Sequence, residues 1–170
     1  MADSLGETPY KARVYLDSLT STFTVRQLQP WFANTAKRQL KSPKVYITDT
    51  GLLHALLGIA TYEDLMSHPI AGASWESFAM GEIIQRFGFS PHSCYFWGSH
   101  SGAELDLFYM VGAQLLGFEF KLSTAPRTTK SMHSAIETLA LDKLYIVNPG
   151  TTSWTMGPNI EALGLAGKLD

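Results

Sequence analysis

The sequence predicts a mixed α/β fold, and three observations predict it. Past residue 72 the elements read helix, strand, strand, strand, helix, strand. The middle pair of strands is joined by Gly112-Ala113, a two-residue hairpin turn with glycine at its first central position. Apolar residues make up 45% of the 170, enough to bury a proper core.

Each element has its own signal. Thr8-Pro9 reads as an N-cap followed by proline at the first helical position. The helix is expected to run to about Leu19 and to bury Tyr15, Leu16 and Leu19. From Phe23 to Gln29 the residues alternate, Phe23, Val25 and Gln27 against Thr22, Thr24 and Arg26, which suits a strand that Pro30 ends. Lys37, Arg38, Lys41 and Lys44 form a basic stretch leading into a short strand, Val45 to Thr48. A helix followed by two strands is the back half of a winged helix. Asp49 caps a helix closed by Gly58, and Thr61 with Asp64 opens another as a capping box. His68 to Gly72 reads as a linker, which divides the chain into regions 1–67 and 68–170.

The second region opens with a helix from about Ala73 to Phe87. Trp75, Phe78, Ala79, Ile83 and Phe87 recur at helical spacing, and Gly88 follows the helix end. Strand-like runs come next at Cys94–Trp97, Leu105–Val111 and Gln114–Leu122. Thr128 or Thr129 caps a helix with the stripe Met132, Ala135, Ile136 and Leu139. Leu144–Val147 is an apolar strand and Thr152–Met156 an edge strand. The tail from Ile160 reads as a helix.

Composition excludes several classes. The net charge of −2 provides no global field that would attract nucleic acid, so any contact must rest on local basic patches. The single cysteine, Cys94, rules out an intrachain disulfide and a cysteine-based zinc cluster, and fits a cytoplasmic protein. No apolar run reaches the ~20 residues of a membrane span, and no signal peptide is visible.

The hairpin carries the chemistry. With Gly112-Ala113 as the turn, Val111 faces Gln114, Asp106 faces Glu119 and Glu104 faces Lys121. Leu105 with Phe120, and Leu107 with Phe118, fall on the other face. Directly opposed carboxylates would sit only ~5 Å apart at their β-carbons, an arrangement that a divalent cation relieves. Lys121 could then hold a water or stabilise charge on a phosphate. A solvated hairpin face with a Glu104–Lys121 ion pair accounts for the same pattern. Glu76, on the rim of the preceding helix's apolar stripe, is placed to join the carboxylates.

Glu76, Asp106, Glu119 and Lys121, in "SWESFAMGEII", "GAELDLF" and "GFEFKLS", resemble the PD-(D/E)XK arrangement. The αβββαβ order resembles the restriction-endonuclease-like core of that group. Together with "LQPWFANTAKRQLKSPKVYITDTGLLHALLGI", these segments are similar to the C-terminal domain of unknown function (4143 type) of bacterial and archaeal AAA+ family ATPases. The resemblance implies catalytic roles for Asp106, Glu119, Lys121 and Glu76. It also implies Mg²⁺ or Mn²⁺ on Asp106 and Glu119. The P-loop and the start of the winged helix are missing. Gly164 to Lys168 mimics a phosphate loop with the wrong spacing, so no ATPase activity is expected of a chain read as a fragment or a truncated reading frame.

Lys37, Arg38, Lys41 and Lys130 are candidate DNA contacts, with Arg127 beside the last. His100, in the loop before the hairpin, is a weaker one. Two functions follow: a metal-dependent DNA endonuclease module serving an ATPase, or a non-catalytic adaptor that docks DNA, a protein or the ATPase itself.

Overall fold

The computed structural model describes residues 6–32, 42–99 and 102–167. Lys37, Arg38, Lys41 and His100 lie outside them. The first region holds α1 (Pro9–Ser21), β1 (Val25–Pro30), β2 (Lys44–Ile47), α2 (Thr50–Leu56) and α3 (Tyr62–Ser67). The second holds α4 (Ala71–Arg86), β3 (Tyr95–Gly98), β4 (Glu104–Val111), β5 (Gln114–Phe120), α5 (Lys130–Leu139), β6 (Lys143–Asn148), β7 (Trp154–Gly157) and β8 (Ile160–Gly164). The expected αβββαβ order is thus present as α4 to β6. The strands form one mixed eight-stranded sheet in the order β2-β1-β3-β4-β5-β6-β8-β7.

Local signals fix the helix ends. Thr8, Asp49, Thr61 and Thr129 each accept a backbone N–H from the first turn of the helix they cap. Gly88, at φ +65°, takes up the left-handed conformation that follows α4.

Four expectations need correction. Tyr15 and Leu19 are exposed, and Ala12 is the buried residue of α1. That helix is tied to β1 by polar bonds instead: Gln27 Nε2 donates to Asp17 Oδ1 at 3.0 Å and to Thr20 Oγ1 at 2.9 Å. Phe23 is exposed with φ +60°, so it belongs to the turn after α1 and the strand starts at Val25. Phe78, placed on the buried stripe of α4, is also exposed; Ser74, Ser77 and Met80 are buried there with Ala79 and Ile83.

The fourth correction is larger. The tail from Ile160 is a strand, β8, parallel to β6 and antiparallel to β7. Alanine and leucine favour a helix by intrinsic propensity, and burial in the sheet overrides that preference. Gly164 shows how close the packing is: a β-carbon there would lie 2.6 Å from the Thr152 carbonyl oxygen and 2.7 Å from the Thr152 nitrogen.

The sheet also crosses the expected boundary. β1 pairs in parallel with β3 through Gln29↔Tyr95 and Pro30↔Phe96. The first region therefore shares the sheet of the second, where two units without a common sheet were expected. A winged helix is not needed to account for β1 and β2, which pair antiparallel at the sheet edge.

Two cores flank the sheet. One gathers Leu28, Met80, Ile83, Phe96, Leu107, Phe118 and Phe120, against α4. The other gathers Trp97, Leu105, Phe108, Met132, Ala135, Leu144 and Ile146, against α5. No helix among the described residues is long and apolar enough to cross a membrane.

Candidate functional site

The hairpin follows the register predicted from its turn from Val111↔Gln114 to Leu107↔Phe118. Gly112 has φ +59°, as the first central position of this turn requires. Beyond Leu107 the ladder changes. Between Tyr95 and Trp97, β3 advances two residues while β4 advances three, from Phe108 to Leu105. This bulge sends Leu105 to the α5 core, whereas Phe120 stays in the α4 core. The expected Leu105–Phe120 pair is therefore not formed. Bulges of this kind re-aim the side chains beside them. The Asp106 carboxylate accepts the Phe120 N–H at Oδ2, 3.1 Å.

The four expected site residues fall within one electrostatically linked group. Glu119, 7% exposed, is buried. Its Oε1 accepts from Lys121 Nζ at 2.7 Å, while its Oε2 is buried and makes no well-formed hydrogen bond among the described residues. Burial and then the charge of Asp106 push the Glu119 carboxyl up to about 7, against the opposing pull of Lys121 and of the Asp106 backbone N–H. This is the direction expected of close carboxylates without a cation. Glu76, on α4, is raised for the same two reasons, burial first and Asp106 second; Tyr46, Lys44 and Lys121 offset part of the rise. Burial alone would lower the Lys121 ammonium, but its bond to Glu119 and the nearby carboxylates hold it above its ordinary value.

Two members of the group come from β2. Tyr46 OH donates to Glu76 Oε1 at 2.5 Å. Lys44 Nζ stands 3.5 Å from Glu104 Oε2 and 3.5 Å from Asp106 Oδ1. The expected register sets Glu104 opposite Lys121, and the solvated-face alternative pairs them; in the structure Lys44 stands against Glu104. Lys44 was visible in the sequence only as the end of a basic stretch, and Tyr46 was not visible at all. Their i, i+2 spacing on a strand was the available signal, since it puts both side chains on one face.

Lys130 and Arg127 are exposed. Ser131 Oγ accepts the Glu104 N–H at 2.8 Å and donates to the Glu104 carbonyl at 2.7 Å, which brings the start of α5, and Lys130 with it, to the same end of the sheet.

The donor set fits a hard divalent cation. Asp106 and Glu119 are two carboxylates, and the buried Glu119 Oε2 makes no well-formed hydrogen bond among the described residues. Mg²⁺ is commonly held by one or two carboxylates together with waters and substrate phosphates. Among the described residues no group of three or more His, Cys, Asp or Glu is arranged to hold a metal, so the protein would supply only part of the coordination.

Fold and site together define a mixed α/β domain with a carboxylate–ammonium cluster at the open end of a hairpin. The chain belongs to the family described as Domain of unknown function (DUF4143), whose model matches residues 71–166. A second domain of unknown function, DUF8612, matches residues 1–63. Thus the family models divide the chain close to the expected linker even though the sheet is shared. The chain is similar to Uncharacterized protein Rv2008c of Mycobacterium tuberculosis and to Uncharacterized protein Mb2031c of Mycobacterium bovis. Each is 43% identical over 163 residues, covering 96% of this chain and 36% of the relative. The chain therefore spans little more than a third of the length of the curated relatives it matches. No solved structure matches it.

Proposed function

We propose that the chain is a metal-dependent nuclease-like module of the PD-(D/E)XK type, acting on DNA phosphodiesters in the service of an AAA+ ATPase. The observation that carries this reading is the buried Glu119 Oε2 beside Asp106, with no well-formed hydrogen bond among the described residues, and Lys121 on the other oxygen of Glu119. A carboxylate pair with one such oxygen is a seat for positive charge. Asp106 and Glu119 would hold Mg²⁺ or Mn²⁺. The bound ion would polarise a phosphate oxygen and lower the pKa of water.

The chain's own residues have distinct parts. Lys121, with 38% of its side chain exposed, can turn its ammonium from Glu119 to a phosphate oxygen and stabilise the charge that grows there. Glu76, held by Tyr46, would accept a proton from an attacking water, a role supported by the rise in its basicity that burial and Asp106 cause. Lys130 is placed to touch the backbone of the strand, and Lys37, Arg38 and Lys41 are proposed as further DNA contacts.

The test is metal titration and cleavage of varied DNA forms by the parent, Asp106→Asn and Lys121→Ala. Asp106→Asn should abolish Mg²⁺ or Mn²⁺ binding while the fold survives. Lys121→Ala should bind metal and lose cleavage. A parent without metal-dependent stabilisation at millimolar Mn²⁺ would overturn the nuclease reading.

One observation favours a second reading, a non-catalytic adaptor. Both carboxylates already face ammonium groups, Asp106 that of Lys44 and Glu119 that of Lys121. A cluster neutralised in this way can hold a cleft together without an added ion.

A further inference from the structure

Lys44 and Tyr46 lie outside the 71–166 segment, yet both reach the site. Lys44 passes over the ring of Phe96, 5.3 Å from its centroid, to lie between Glu104 and Asp106. Its side chain is 26% exposed, and that of Asp106 14%, so this is not a freely solvated surface pair. Tyr46, two residues along β2, anchors the same strand to Glu76. The first region joins the second through the β1–β3 residue pairs at Gln29 and Pro30, through Leu28 in the α4 core, and through Ser77 Oγ, which donates to the Ile47 carbonyl at 2.7 Å. Lys44 and Tyr46 add a connection made through the site itself.

The position of the ammonium matters for what the site can hold. It neutralises Asp106 at the oxygen that the Phe120 N–H leaves open. A divalent cation on Asp106 would have to bind beside this charge or displace it. We propose that Lys44 is the internal counter-cation of the site, competing with an external divalent cation for Asp106 and so setting the metal concentration at which the site fills. This inference rests on the reading of Asp106 and Glu119 as cation ligands.

Electrostatics sets the size of the effect. Even at the dielectric constant of water, a unit charge about 5 Å from a dication changes its affinity by roughly tenfold. In a partly buried site the change is larger.

The experiment is calorimetric titration of Mn²⁺ into the full chain at neutral pH, with the parent, Lys44→Met, Lys44→Gln, Lys44→Arg, Asp106→Asn and Lys143→Met. Thermal unfolding in chelator checks that each variant is folded, and the Gln variant serves if the Met variant does not fold. Lys44→Met and Lys44→Gln should bind Mn²⁺ at least about tenfold more tightly than the parent. Lys44→Arg should keep the parent's affinity because the charge is kept. Lys143→Met should be unchanged, since that ammonium faces Glu161 at 2.8 Å. If the parent's binding depends on Asp106 but neither neutral Lys44 variant binds more tightly, the counter-cation inference falls and the nuclease-like site stands. If Asp106→Asn leaves Mn²⁺ binding unchanged, or if neither the parent nor any Lys44 variant binds at millimolar metal, both fall.

Discussion

β1 and β6 are strands of equal length in one sheet, and they are held very differently. β6 is flanked by β5 and β8, both parallel, with five residue pairs on each side, and Leu144, Ile146 and Val147 are fully buried. β1 touches β3 over two residue pairs and otherwise relies on β2, its antiparallel edge partner. The contrast extends to the helices. α5 buries Met132 and Ala135 in a core, whereas α1 buries Ala12 and exposes Tyr10, Val14, Tyr15 and Leu19. Strand membership is therefore a poor guide to how firmly a segment is held. Apolar burial on both faces makes the second region self-supporting, while the first depends on an edge ladder, a few polar bonds, the contacts of Lys44 and Tyr46, and a smaller apolar share from Leu28 and Trp31.

The largest expected effect tests the self-supporting side. Gly164 lies where a β-carbon would meet the backbone of Thr152 and the Gly150 carbonyl, all under 3.0 Å. Backbone cannot rotate away as a side-chain tip can. Gly164→Ala should therefore cost about 3 kcal/mol, at the upper end of ordinary overpacking. In a chain of this size that corresponds to roughly 6–12 °C in Tm. Gly117→Ala is a useful contrast. Its β-carbon would press on the terminal methyls of Leu141, Leu105 and Leu144, which can shift, so the loss should be smaller. If the two variants lose equal stability, the view of β8 as rigidly packed is wrong.

The next effect concerns the site. The Glu119 carboxyl is pushed up to about 7 from an ordinary 4.5, mainly by burial and then by Asp106. The folded state thus binds this proton more readily than the unfolded state. The stabilising contribution is complete below pH 4.5 and is lost as the pH rises through about 7. In metal-free buffer the parent should lose stability across that window, by about 2 kcal/mol from this group. Glu119→Gln cannot titrate and should flatten the slope. Tm of both proteins at pH 5 and pH 8 checks it, and parallel profiles would remove Glu119 as the source.

The same contrast explains what the sequence made legible. The hairpin register could be read because a glycine turn and period-two alternation both act over a few residues, and Val111↔Gln114 to Leu107↔Phe118 formed as predicted. The bulge near Asp106 could not, because it depends on how β3 lies alongside β4. β8 was misread because the helix preference of alanine and leucine yields to pairing and burial between β6 and β7. Lys44 was legible as a basic residue but not as a partner of Asp106, which is 62 residues away along the chain. Site residues of the hairpin and α4 could be named from local pattern; those supplied by β2 needed the tertiary fold.

The smallest expected effect tests the weaker side. Leu19 is 45% exposed on α1, and the helix makes its tie to β1 through Gln27 rather than through a buried stripe. Leu19→Ser removes little buried apolar area. It also leaves the Thr8 cap and the Gln27 bonds in place. The change in stability should stay within about 0.5 kcal/mol, as for surface substitutions in general. Because the expected value is close to zero, a departure is easy to interpret. A loss of about 2 kcal/mol would mean that the exposed face of α1 is covered in solution. A loss that grows with protein concentration would identify the cover as a second copy of the chain, since association stabilises by mass action. Thermal unfolding of the parent and Leu19→Ser over a hundredfold range of concentration decides between them. A small, concentration-independent change leaves α1 as a helix held at the sheet edge by polar bonds.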